Sequence, residues 1–209
     1  VINAAMAHQL KEFKASIDLL VSQGMEQEEA LYKVLKEMIT ASKNIRFEGD
    51  GYSDEWKEEA MRRGLTNISH VPEAIMRFND SQSREVLIGE NIFNENELIC
   101  RIEVELEKFT KKVQIESRVL GDLAINHIVP TAVIYQNRLL ENLRGLRETF
   151  SQIEYEMLGA DRRELVKEIQ FRILEIKQLV REMTEARRIS NRLTSQVEKA
   201  YSYEEKVRP

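Results

Sequence analysis

The sequence predicts an all-α fold: short antiparallel helices followed by a long kinked helix and a long antiparallel helical hairpin. Charged residues make up 32% and apolar residues 42% of the 209 positions, with only 8 Gly and 3 Pro. That is the profile of long amphipathic helices, not of disorder or a turn-rich β fold. Apolar residues also recur at helical spacing along most of the chain, and capping residues stand where those patterns begin and glycines where they stop.

The first helix is expected from Asn3 to Val21, with Ala5, Met6, Leu10, Phe13, Ile17 and Leu20 on its buried face. Gly24 supplies the left-handed residue that a helix end favours. A second helix follows from Glu26 to Ser42, with Ala30, Leu31, Val34, Leu35 and Met38 inward; so short a turn makes the two antiparallel. From Lys43 to Ser53 the pattern stops: Ile45-Arg46-Phe47 alternates like a short extended segment, and Gly49-Asp50-Gly51 turns. Ser53 is an N-cap, with Asp54 and Glu55 favouring the positive end of a short helix that Gly64 closes. Pro72 sits at a first-turn position for a helix over residues 71–78, and Ser81 to Ile88 forms one more.

The second half is dominated by two long helices. Asn94-x-x-Glu97 is a capping-box pattern. Leu98, Ile102, Leu106, Phe109 and Val113 then mark a stripe that continues through Val119, Leu120 and Leu123. Pro130 removes a backbone donor and clashes with the preceding turn, so a kink or short break is expected over His127 to Pro130. Periodicity resumes with Val133, Leu140, Leu143, Phe150 and Ile153, and Gly159 stops it. Asp161-x-x-Glu164 is a second capping box, opening a helix from Arg162 to Tyr201 about 60 Å long. Val166, Ile169, Ile173, Ile176, Val180 and Met183 form a heptad seam, which turns polar at Arg187, Ser190 and Thr194. The segments divide as 1–44, 45–93 with short helices, and 94–209.

Composition excludes several functions. Net charge is −5 with both signs interleaved, and the best basic stretch, Arg181 to Arg192, contains Glu182 and Glu185; no nucleic-acid partner is expected. No apolar run reaches the roughly 20 residues of a membrane span, so no membrane partner is expected either. Cys100 is the single cysteine, which rules out an intrachain disulfide and points to a reducing, cytoplasmic location. The chain starts at Val1 and ends at Pro209 against helical patterns, so it reads as an excised piece of a longer chain.

No catalytic, cofactor-binding or metal-ligating residue is assigned. There is no phosphate loop, dinucleotide fingerprint, zinc-protease motif or cysteine pair. Glu48-Gly49-Asp50-Gly51 carries acids that would repel phosphate, and as a calcium loop Asp50-x-Tyr52-x-Asp54 places Met61 where a bidentate Glu belongs. His8 and Glu12 lie one helical turn apart, which is two ligands and not a site. Asn126, His127, Gln136 and Asn137 flank the expected kink and are read as satisfying backbone groups freed by Pro130. Trp56 with Tyr52 and Phe47 is read as a local aromatic core. From the residues alone, the chain is an interaction or scaffolding element, and an autonomous coiled-coil adaptor is the competing reading.

Three stretches go further. Arg46-Phe47-Glu48-Gly49-Asp50-Gly51-Tyr52-Ser53-Asp54-Glu55-Trp56 is followed by Arg63-Gly64-Leu65-Thr66-Asn67. Gln114-Ile115-Glu116-Ser117-Arg118-Val119-Leu120-Gly121-Asp122-Leu123-Ala124 precedes Asn126-His127-Ile128-Val129-Pro130-Thr131-Ala132-Val133. Tyr135-Gln136-Asn137 then leads into Glu141-Asn142-Leu143. In this order they resemble the C-terminal region of type III glutamine synthetases, the long-chain bacterial form. The resemblance implies a parent ligase that uses ATP and a divalent metal (Mg or Mn) to phosphorylate glutamate before ammonia displaces phosphate. It places that chemistry in a β-sheet catalytic core upstream of this excised fragment, so no catalytic residue is transferred. It also implies partners: the catalytic domain of the same chain, whose last helices residues 1–42 resemble, and further copies of itself in stacked rings. Glu48 stands where the family pattern has Asn, and the family continues beyond Pro209.

Overall fold

The computed structural model describes residues 2–208 and shows no strand among them. It divides into two compact units, the boundary falling between Ile102 and Glu103.

In the first unit, α1 (Ile2–Ser22) and α2 (Gln27–Ala41) form a packed pair. Gly24 lies between them at φ +94°, in the left-handed region expected of a helix terminator. The inward residues are Ala4, Ala30 and Val34, with Phe13, Ile17, Leu20 and Met38 half-buried. The expected face was too wide. Ala5, Met6 and Leu10 on α1, and Leu31 and Leu35 on α2, are exposed. Two helices in contact along one line cover only the residues facing that line, whatever the hydrophobicity of the flanks.

A 3₁₀ turn, Ser42–Ile45, replaces the start of the expected extended segment, which is reached only at Arg46 (φ −90°, ψ 121°). Ser53 caps α3 (Asp54–Arg62) by accepting from the Trp56 amide, and Gly64 ends it at φ +75°. Pro72 occupies the first turn of α4 (Val71–Met76), and α5 (Ser81–Gly89) packs against α1. Past the end of α5 Asn91 takes φ 55°, and the amides of Ile92 and Phe93 return to the Leu87 carbonyl. Asn94 and Glu97 then exchange side chain-to-backbone bonds of 2.9 and 2.8 Å, forming the expected capping box for α6 (Glu95–Leu123).

In the second unit α6 continues with Leu106, Phe109 and Val113 inward, whereas the expected Val119, Leu120 and Leu123 are exposed because the inward line passes instead through Ser117 and Ala124. The expected kink before Pro130 is present, without a break in the helix. A π turn, Ala124–Ile128, leads into α7 (Val129–Thr149), and the Val129 amide bonds to the Ala124 carbonyl five residues back. The wider turn absorbs a residue where Pro130 can donate no hydrogen bond, so helix runs for 55 residues from Glu95 to Thr149. On α7 the inward positions are Val129, Ala132, Gln136, Leu139, Leu143 and Leu146; the expected Val133, Leu140, Phe150 and Ile153 are exposed.

The helix stops at Thr149 and does not run on to Gly159. Phe150 is extended, and Ser151 with Glu154 forms a capping box for the short α8 (Gln152–Leu158). After one residue, Gly159, α9 (Ala160–Ser190) begins, so Asp161 lies inside the helix and the expected second capping box does not form. At 31 residues α9 is about 46 Å long, shorter than the expected rod. It packs on α7 as the expected hairpin, and its seam residues Val166, Ile169, Ile173, Ile176, Val180 and Met183 all lie inward. A Cβ at Gly121 of α6 would sit 3.4 Å from the Met183 methyl, marking a close approach of α6 to α9.

Beyond Ser190 the chain turns and folds back. The last helix, α10 (Gln196–Ser202), with a π turn over Tyr203–Val207, packs on the end of α9. Tyr203 is fully buried, and its hydroxyl donates to Asn191 Oδ1 at 2.8 Å. The polar positions that interrupt the seam thus mark the end of the helix.

Candidate functional site

The residues flanking the π turn serve other partners than the carbonyl groups near Pro130. Asn126 donates to Asp122 at 2.6 Å, and His127 lends only its carbonyl, to the Thr131 hydroxyl at 2.8 Å. Gln136 reaches across the hairpin to the Val166 carbonyl at 3.1 Å and Gln170 at 3.3 Å, while Asn137 is exposed. A buried-face glutamine whose amide meets a carbonyl on the opposite helix fixes the register of the α7–α9 pair. In the chain Gln136 stands beside the kink, but its partners come from 30 residues further on.

His8 does not pair chiefly with Glu12, whose carboxylate is 3.6 Å away. Its Nδ1 lies 2.8 Å from Glu90 at the end of α5, and Lys11 donates to the same carboxylate at 3.2 Å. Hydrogen bonds from His8 and then Lys11 hold the Glu90 carboxyl below its ordinary range. Nothing in the sequence pairs residues 8 and 90, and only packing of α5 on α1 brings them together.

The turn between α2 and α3 holds the most concentrated chemistry. Phe47 and Trp56 stack with ring centres 4.2 Å apart; the pairing is the one the sequence suggests, but Phe47 is 37% exposed, so the stack lies at the surface and not in a core. Tyr52 is not part of it, being 94% exposed. The Arg63 guanidinium lies 5.8 Å from each of the two rings, donates to the Arg46 carbonyl at 2.8 Å and pairs with Glu59 at 2.5 Å. Glu59 also accepts from Arg62, and these hydrogen bonds, Arg62's first, hold its carboxyl below the ordinary glutamate range. The Phe47 ring folds over Gly49 so closely that a Cβ there would collide with it. Asp50 accepts from the Tyr52 amide at 2.9 Å, so its carboxylate shapes the loop.

Large apolar side chains remain on the outer faces of α1 and α2. Met6 and Leu10 are each 61% exposed, and Leu31, Leu35 and Ile39 form an exposed stripe at four-residue spacing. Apolar stripes of this kind are characteristic of interaction surfaces. Among the described residues no three His, Cys, Asp or Glu side chains come together as a metal site, and no helix is long and apolar enough to cross a membrane.

Comparison with known proteins places these features in a family. The family model of the "Glutamine synthetase C-terminal domain" matches residues 30–147, more than half of the chain. A glutamine synthetase of Bacteroides fragilis (strain YCH46) is 67% identical over 208 residues, covering 100% of this chain and 28% of the relative. A glutamine synthetase of Butyrivibrio fibrisolvens is 31% identical over 137 residues, covering 65% of this chain and 20% of the relative. A type-3 glutamine synthetase of Dictyostelium discoideum is 29% identical over 160 residues, covering 73% and 21%. The chain therefore spans between a fifth and three tenths of the length of these relatives.

Proposed function

The chain belongs to the glutamine synthetase C-terminal domain family, and from that premise we propose that it is the helical end of an enzyme joining ammonia to glutamate at the expense of ATP. The observation that carries this reading is the 67% identity to a glutamine synthetase along the whole of this chain. The ATP and divalent metal of that reaction would be held by other parts of the enzyme.

The helices themselves serve assembly. In this reading residues 1–44 lie against the catalytic domain of the same chain, covering the apolar stripes of α1 and α2, and residues 94–209 provide contacts between copies in a homo-oligomer. The α7–α9 hairpin suits that role because Phe171, Leu174 and Leu179 remain exposed along α9. The enzyme acts in the cytoplasm. Deleting residues 162–209 from the full-length enzyme should reduce the size of the assembly, measured by light scattering after gel filtration. Unchanged size together with unchanged ligase activity would overturn the assembly role.

A further inference from the structure

The first unit carries a cleft of about 460 Å³ lined by Lys43, Asn44, Arg46, Glu59, Arg62 and Arg63. Four cations face one carboxylate there, in a chain whose net charge is −5. Glu59 is already shared by Arg62 and Arg63. Arg63 is further engaged by the Arg46 and Asn44 carbonyls and by the aromatic pair. The Arg46 guanidinium donates to the Ile39 carbonyl at 2.8 Å and is paired with no carboxylate among the described residues. Lys43 has no ion-pair partner among the described residues. Like charges held around one cleft repel, and an anion of charge two or more seated among them gains from each at once. Guanidinium and ammonium groups together suit phosphate oxygens, the first by paired donors and the second as a point charge.

We propose that this cleft binds a small multivalent phosphate-type oxyanion, with Lys43, Arg46 and Arg62 as the recognising groups and Arg63 as the residue that positions the turn. The inference is independent of the ligase reading, because it rests only on side chains within residues 43–63. Trp56 is the single tryptophan and lies under Arg63, so its fluorescence reports occupancy directly.

Titrating the 209-residue chain with inorganic pyrophosphate, followed by Trp56 fluorescence and by calorimetry, should show one saturable site. Lys43→Glu reverses the charge of an exposed, unpaired group and should weaken binding by at least about tenfold with the far-UV circular dichroism unchanged; Arg62→Gln provides a second variant with the same expectation. Raising ionic strength should weaken binding further. Absence of saturation, or equal affinity in both variants, would overturn the proposal, as would citrate binding as tightly as pyrophosphate. ATP and pyrophosphate both support the site if they bind, and their ratio separates a nucleotide from a bare phosphate group as the source.

Discussion

The hydroxyls of Ser190 and Ser202 lie 2.7 Å apart, both buried, where the end of α9 meets α10. Ser190 donates its proton to the Ala186 carbonyl at 2.8 Å, so Ser202 is the donor between the two. A buried donor left without an acceptor costs about 1–3 kcal/mol. Ser190→Ala should therefore lower stability by about that amount in urea unfolding, whereas the double change of Ser190 and Ser202 to Ala should cost less than the sum of the single changes.

Tyr203 fills the same junction. Burial pushes its phenol up from the ordinary value, so the hydroxyl stays protonated as the donor to Asn191. Tyr203→Phe should cost about 1 kcal/mol and Tyr203→Ala about 3–5 kcal/mol. Thermal unfolding of the two variants checks the order.

Acid should release α1 from α5. Because His8 and Lys11 hold Glu90 below the ordinary glutamate range, the pair contributes stability that is in place above that range. The contribution is lost as pH falls through the lowered folded value. Protection of the amides around His8 against exchange should fall as pH drops through that lowered range, and Glu90→Gln should remove that pH dependence.

Gly145 lies within α7 with open space where a methyl group would point, whereas Gly64 sits at φ +75°. Gly145→Ala should stabilise by up to about 1 kcal/mol. Gly64→Ala should destabilise by about 1–2 kcal/mol. Opposite shifts in melting temperature are the expected result.

The outer stripes of α1 and α2 should drive concentration-dependent self-association of the 209-residue chain. Replacing Met6, Leu10 and Leu35 with Ser should reduce it in sedimentation velocity at micromolar concentration. Equal association in the variant would place the contact elsewhere.

Local signals were legible in the sequence where they act within a few residues. Ser53, the Asn94–Glu97 box, Gly24, Gly64 and the six-residue seam of α9 each combine a local preference with a matching tertiary demand. The Ser151–Glu154 box was equally local, yet the apolar Phe150 and Ile153 around it read as a continuing helix. Asp161 showed the converse, a capping pattern in a helix already begun at Ala160. The exposure of Met6, Leu10, Leu31 and Leu35 was not legible, because periodicity tells which residues share a face and not how much of that face a neighbour covers. The same holds for the candidate clusters. His8 with Glu90, and Gln136 with Val166, depend on packing between elements distant in the chain. Lys43, Arg46, Arg62 and Arg63 are near one another in sequence, but in a chain of net charge −5 they form one basic cleft only because the turn between α2 and α3 folds them together.

The π turn over 124–128 preserves the phase of the rod. One additional residue in a regular helix rotates everything after it by about 100°, but the wider turn takes it up, so the inward positions pass from Ala124 to Val129 and then resume steps of three and four. Removing a single residue within 124–128 would leave an ordinary α turn with Leu139, Leu143 and Leu146 still on the side on which α9 lies. Removing one between Ala132 and Gln136, where the helix has no slack, would turn those three leucines away.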